Sequence, residues 1–160
     1  MSYRIGLGYD VHQLAEGETL WLGGILIPHH KGLVAHSDGD VLLHAICDAL
    51  LGAAKLRDIG FHFPDTSSEF KNIDSKILLS ATYHLVTEKG FRLVNIDATI
   101  SAQQPKLKDY IPKMEETIAR VLKVDTDAIN IKATTTEKLG FEGREEGISV
   151  QAVVLIEKIS

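Results

Sequence analysis

From residue 40 to residue 51 the chain is apolar almost throughout: positions 41, 42, 43, 45, 46, 47, 49, 50 and 51 are Val, Leu, Leu, Ala, Ile, Cys, Ala, Leu and Leu. The pattern predicts a helix over residues 40–54, entered through Ser37-Asp38-Gly39. A helix apolar on nearly all sides has to be enclosed, so the rest of the chain must supply layers around it. The exceptions in the run, Asp40, His44 and Asp48, recur every four residues and stack in one stripe. Polar groups inside a buried helix must find partners. Two readings stand side by side: a solvated seam or hydrogen-bonded core histidine, or a metal ligand at His44 with Asp48 or Asp40 supporting it from behind.

The elements available for enclosing this helix alternate in type. Residues 3–11 read as a strand, with Ile5, Leu7, Tyr9 and Val11 alternating against Arg4, Gly6, Gly8 and Asp10. Residues 19–22 and 25–27 flank Gly23-Gly24, a two-residue hairpin signal. A second helix spans residues 74–89 and is closed by Gly90. Then come a strand over 91–101, a helix over 109–122 with Pro112 in its first turn, and strands over 129–134 and 148–156. No repeat or linker interrupts the order. Residues 1–160 therefore read as one α+β domain, a mixed β-sheet packed against α-helices.

Charge narrows the function. Lys and Arg total 17 against 22 for Asp and Glu, a net −5, which is the wrong balance for a dedicated nucleic-acid binder. It leaves room for a small phosphorylated ligand. No apolar run is long enough for a membrane span, and Gly6, Gly8 and Asp10 come too early for a signal peptide. The single cysteine, Cys47, has no partner for an internal disulfide and reads as a small buried hydrophobe among Leu43, Ile46 and Leu50. The expectation is a cytoplasmic enzyme with neither nucleic acid nor membrane as partner.

Four segments carry chemistry. In Asp10-Val11-His12, strand periodicity points Asp10 and His12 to one face, half of a divalent-metal site. With His44 they would make two nitrogens and one carboxylate, a set that leaves a tetrahedral ion one open position and also suits non-haem iron. Ala35-His36-Ser37-Asp38-Gly39-Asp40 places an imidazole and a hydroxyl just before a helix N-terminus, where N–H groups favour anions. Ala133-Thr134-Thr135-Thr136-Glu137-Lys138-Leu139-Gly140-Phe141 ends a strand with three hydroxyls, a carboxylate and a lysine. Threonine is common in strands, but Glu137 also suits a magnesium ion that completes its shell with substrate phosphates. Ala102-Gln103-Gln104-Pro105-Lys106-Leu107-Lys108 is either a plain connection or a ligand loop at a strand end, and spacing alone does not choose.

Taken in order, Gly8-Tyr9-Asp10-Val11-His12, His36-Ser37-Asp38-Gly39-Asp40, Asp58-Ile59-Gly60, Phe63-Pro64-Asp65-Thr66 and the run from Ala133 to Phe141 resemble the 2-C-methyl-D-erythritol 2,4-cyclodiphosphate synthase family over essentially the whole chain. The resemblance implies a homotrimer with active sites between subunits. It implies a zinc ion per subunit on Asp10, His12 and His44, and a magnesium or manganese ion at Glu137. His36 and Thr135 match residues that steady the transition state. Asp10, His12, His36, Ser37, Asp58, Ile59 and Gly60 match substrate contacts, as do Phe63, Pro64, Asp65, Thr66 and Ser67. The loop Ala102, Gln103, Gln104, Pro105, Lys106, Leu107 and Lys108 matches the one that receives cytidine. Thr134, Thr135, Thr136 and Glu137 match diphosphate contacts, and Phe141 and Arg144 the last substrate positions. Ser67 and Gln104 are where the chain departs from the family pattern.

The reaction so implied converts 4-diphosphocytidyl-2-C-methyl-D-erythritol 2-phosphate to the 2,4-cyclodiphosphate and CMP, in the non-mevalonate route to isoprenoids. It needs no side-chain nucleophile. Two rival readings of the residues are an iron oxygenase, which has no use for the Thr-Thr-Thr-Glu segment, and a binding module with a structural metal, which would ordinarily show four protein ligands rather than three.

Overall fold

In the computed structural model, which describes residues 2–159, strand β1 (Tyr3–Glu16) runs past the expected end at Val11. Residues 1 and 160, the ends of the expected domain, lie outside the described residues. The hairpin follows as β2 (Leu20–Leu22) and β3 (Ile25–Ile27), turning on Gly23 and Gly24 at φ of +65° and +78°. The next strand, β4 (Lys31–Val34), is an edge strand the periodicity does not reveal. Helix α1 (Val41–Ala53) is followed by the single turn α2 (Ile59–His62), also unforeseen, and by α3 (Ser75–Glu88). Then come β5 (Phe91–Ser101), α4 (Ile111–Leu122), β6 (Ile129–Thr134), the short α5 (Gly140–Gly143) and β7 (Gly147–Lys158). The expected start of α4 at 109 is instead a 3₁₀ turn over Lys108–Tyr110, with Pro112 inside the first turn proper.

The mixed sheet has the order β4-β1-β7-β5-β6, and only β5 and β6 are parallel. Helix α4 joins that parallel pair as a crossover. The hairpin β2-β3 forms a separate two-stranded sheet, so the strands do not all join one sheet as the alternation suggests.

Helix α1 lies across β1 and β7 with α3 on its other side, and its apolar residues are buried as their run demands. Its approach to β1 is set by two missing side chains. A Cβ on Gly6 would stand 1.9 Å from the Ala49 carbonyl oxygen, and one on Gly8 would stand 1.8 Å from that of Ala45. Backbone meets backbone here, with alanines on the helix and glycines on the strand. At the helix start, Asp40 caps the Leu43 N–H at 3.1 Å and also accepts from Gly23 N–H (3.0 Å) and Gly24 N–H (2.7 Å), tying the hairpin to α1.

The core thus sits on the glycine side of β1, and the apolar side of that strand is open. Ile5, Leu7 and Tyr9 are 74%, 68% and 51% exposed, with Val153 of β7 beside them at 46%. Among the described residues no helix is long and apolar enough to cross a membrane.

Candidate metal centre and two clefts

Asp10 and His12 point to the helical side of β1, and the close seat of α1 brings His44 to them. Asp10 Oδ2 and His12 Nε2 are 3.0 Å apart, His12 Nε2 and His44 Nδ1 3.1 Å, and His44 Nδ1 and Asp10 Oδ2 3.2 Å. Three ligand-type atoms form a nearly equilateral triangle. Tetrahedral bonds of about 2.0–2.1 Å place ligand atoms about 3.3–3.4 Å apart, so the triangle fits a small divalent ion with little adjustment. Burial alone raises the Asp10 carboxyl, but the two imidazoles outweigh it and hold the group down at about 2. Burial likewise opposes charge on His44, yet the Asp10 carboxylate prevails and shifts that imidazole upward. A carboxylate and two imidazoles converging in this way suit a cation.

The stripe on α1 divides its work differently from the expected scheme. Asp40 and Asp48 do not support His44. Asp40 is spent on the hairpin, while Asp48 Oδ1 accepts the Ile59 N–H at 2.8 Å and fixes the start of α2. His44 is instead backed by hydroxyls, Ser37 Oγ at 3.1 Å and Ser75 Oγ at 2.9 Å from Nε2. Ser75 went unnoticed in the sequence because it reads as an ordinary residue after the helix cap Asp74.

The triad opens into a cleft of about 380 Å³ that brings together His36, Ser37, Ile59, Gly60, Phe63 and Asp65 from the sequence-predicted set. Phe70, Ile73 and Leu78 complete its apolar wall and were not anticipated. Asp58 stands just outside, capping α2 through the Phe61 N–H at 3.0 Å. Ser67 contributes its carbonyl, which accepts from His36 Nε2 at 3.0 Å, while Pro64 and Thr66 do not line the cleft.

A second cleft, about 310 Å³, lies at the carboxyl ends of the parallel pair β5-β6 beside the start of α4. This is where the crossover geometry of open α/β sheets leaves room for a ligand. Of the expected cytidine loop, Ala102, Gln103, Pro105, Lys106, Leu107 and Lys108 line it and Gln104 does not; Thr134 and Thr135, expected at the diphosphate, share it with Ile111 and Ala133. Gln103 Oε1 accepts the Lys138 N–H at 3.1 Å and so ties the two loops together. Thr136 Oγ1 donates to the Leu139 carbonyl at 2.6 Å, and Glu137 is exposed at the loop tip with φ of +55°. Phe141 packs over Gly147, and Arg144 pairs with Glu146 at 3.0 Å. The two clefts share no lining residue. Cys47 lines neither, and burial pushes its thiol up to about 12.

The profile of the YgbB family matches residues 3–157. A 2-C-methyl-D-erythritol 2,4-cyclodiphosphate synthase of Bacteroides thetaiotaomicron is 66% identical over 158 residues, covering 99% of both chains. Among solved structures, the bifunctional IspDF of Campylobacter jejuni superposes with a TM-score of 0.96 at 50% identity, and this chain spans 43% of that longer protein. An IspF of Plasmodium falciparum in complex with CDP superposes at 0.87 with 34% identity, covering 99% of this chain and 98% of the other.

Proposed function

The chain belongs to the YgbB family, and from that membership we infer an enzyme that closes 4-diphosphocytidyl-2-C-methyl-D-erythritol 2-phosphate into the 2,4-cyclodiphosphate with loss of CMP. It is a phosphorus–oxygen lyase of isoprenoid biosynthesis. The geometric observation that carries the reading is the Asp10–His12–His44 triangle opening, with His36, into a cleft of about 380 Å³. The two-histidine, one-carboxylate set alone would suit iron equally; the family and the separate cleft at the β5-β6 ends favour phosphoryl chemistry.

In the reaction, an oxygen of the 2-phosphate bonds to the β-phosphorus, and the bridge from that phosphorus to the cytidylate phosphate breaks. Both reacting groups belong to one molecule, so the protein's main task is to fold it. Positioning of that kind supplies roughly 7–11 kcal/mol. Ile59 and Gly60, in the turn that Asp48 and Asp58 fix through the Ile59 and Phe61 N–H groups, would shape the floor for the methylerythritol part. The Ala102–Lys108 loop would take the cytidine end, with Thr134 beside it at the diphosphate. Thr135, and His36 through Nδ1 when that nitrogen also carries a proton, would donate to phosphoryl oxygens as charge shifts towards the leaving group.

Asp10, His12 and His44 would hold a zinc ion, and Glu137 a magnesium or manganese ion shared with the diphosphate. Bound there, such ions supply Lewis-acid polarisation of phosphoryl oxygens.

The reading extends to a homotrimer whose sites lie between subunits, at work in the cytoplasm. Two observations support the assembly. The open apolar strip along β1 is the kind of surface a second copy covers. Asp10 also stands in the sheet row Asp10–Val150–Ile100–Ala133, three interstrand steps from the foot of the Thr134–Glu137 segment, roughly 14 Å. A single diphosphate reaches both halves more readily when the second comes from a neighbour. The test of the activity is incubation with the cytidyl substrate, followed by phosphorus NMR. A cyclic diphosphate and CMP in equal amounts are expected, and unchanged substrate with both metals supplied would refute the reading.

A further inference from the structure

We infer that Ser75, backed by Asp38, is a positioning residue that decides which nitrogen of His44 faces the ion. The inference rests on the reading of Asp10, His12 and His44 as ligands, and it follows from where each proton can go. Asp38 Oδ2 accepts the Ser75 N–H at 2.8 Å, while Oδ1 accepts the Asp40 N–H at 3.0 Å and the Ser75 hydroxyl at 2.5 Å. Asp38 is the acceptor in all three contacts, so the Ser75 O–H is committed to it and the Ser75 lone pairs are left for His44 Nε2, 2.9 Å away.

Nε2 therefore has to bear the hydrogen. A bare Nε2 would set a lone pair against a lone pair at that distance. Ser37 Oγ, 3.1 Å from the same nitrogen, already accepts the Gly39 N–H at 3.2 Å and offers a second acceptor. With Nε2 protonated, Nδ1 is the bare nitrogen, and it is the one that completes the triangle with Asp10 and His12. A hydrogen bond from the far side of a ligating imidazole also raises its basicity and locks the ring plane.

The arrangement is built in rather than incidental. Ser75 is fully buried as the first residue of α3, and Asp38 belongs to the loop that opens α1. The relay thus ties two helices and a loop to one ligand.

Ser75→Ala removes the hydroxyl and leaves the Asp74 cap in place. Its zinc dissociation constant, measured by competition with a chromophoric chelator, is expected to rise about tenfold or more while circular dichroism matches the parent. In the zinc-loaded parent, long-range proton–nitrogen NMR is expected to show His44 coordinated through Nδ1 with a slowly exchanging Nε2 proton. That proton should exchange faster in Ser75→Ala. A parent that binds no zinc would overturn the ligand reading itself. A parent that binds zinc no more tightly than a folded Ser75→Ala would overturn the role of Ser75 alone. Coordination through His44 Nε2 in the parent would do the same, whether or not the variant folds.

Discussion

His12 Nε2 and His44 Nδ1 face each other at 3.1 Å, on rings carried by a strand and a helix 32 residues apart in sequence, with Asp10 Oδ2 within 3.2 Å of both. Three ligand-type atoms at that spacing are drawn together by a shared proton or by a metal ion among them. Metal content is accordingly the first expected property. Purified protein should hold about one zinc per chain, and His44→Ala should lose most of it while staying folded. Elemental analysis showing unchanged zinc in the variant would remove His44 from the ligand set.

Glu137 is separated from this triangle, so its replacement should leave zinc alone. Glu137→Gln is expected to retain the parent's zinc, lose turnover, and respond far less to added magnesium. A titration of activity against magnesium decides it, since an ordinary response would place the second ion elsewhere.

If each site draws on two subunits, two inactive variants can complement one another. Coexpressed in equal amounts, His44→Ala and Glu137→Gln chains should form mixed trimers in which roughly one half times one half, about a quarter, of the sites are intact. Activity near zero in verified mixed trimers would show that both halves come from one chain.

The backbone contact under α1 gives a prediction about stability. Gly8→Ala forces a methyl into a space already held by the Ala45 carbonyl oxygen, 1.8 Å from where the new carbon must sit. Neither strand nor helix can yield without moving His44 away from Asp10 and His12. We expect a loss of about 3 kcal/mol or more in urea unfolding, together with weaker zinc binding. A variant of parental stability and zinc affinity would mean that the helix shifts freely.

On the polar part of the sheet, the hydrogen bond from Lys132 leads in holding the Asp97 carboxyl below its usual range, with Asn130 assisting. A lowered acid adds stability above its unfolded value and loses it as pH falls through the folded one. Because the pair is solvent-exposed, Asp97→Asn should cost less than about 1 kcal/mol at neutral pH and nothing in strong acid. Denaturant midpoints of the two proteins that differ most in acid would contradict this.

Much of this arrangement is legible in the residues. The all-round apolar helix, the shared face of Asp10 and His12, and the strand-end position of Thr134 each follow from periodicity, and the structure places them so. The strand β4 escapes notice because Lys31-Gly32-Leu33-Val34 is too short for its alternation to register. The faces of β1 mislead for a different reason: Ile5, Leu7 and Tyr9 look like the core side, but the buried side is the one bare enough for a helix to lie on. The four-residue spacing of Ala45, Ala49 and Ala53 against Gly6 and Gly8 holds that information, legible once strand and helix are considered together. Ser75 could not be paired with His44 from sequence, since 31 residues and an intervening loop separate them.

The open strip on β1 sets a clock on the newly made protein. A chain that has folded alone carries Ile5, Leu7, Tyr9 and Val153 in water, and in the proposed oligomer their covering by another copy is a bimolecular event. Halving the concentration of chains doubles the wait for a first encounter, during which the same strip is available to any other unfolded apolar surface. If a second copy covers the strip, slow and dilute synthesis should lengthen the time these side chains spend in water before assembly.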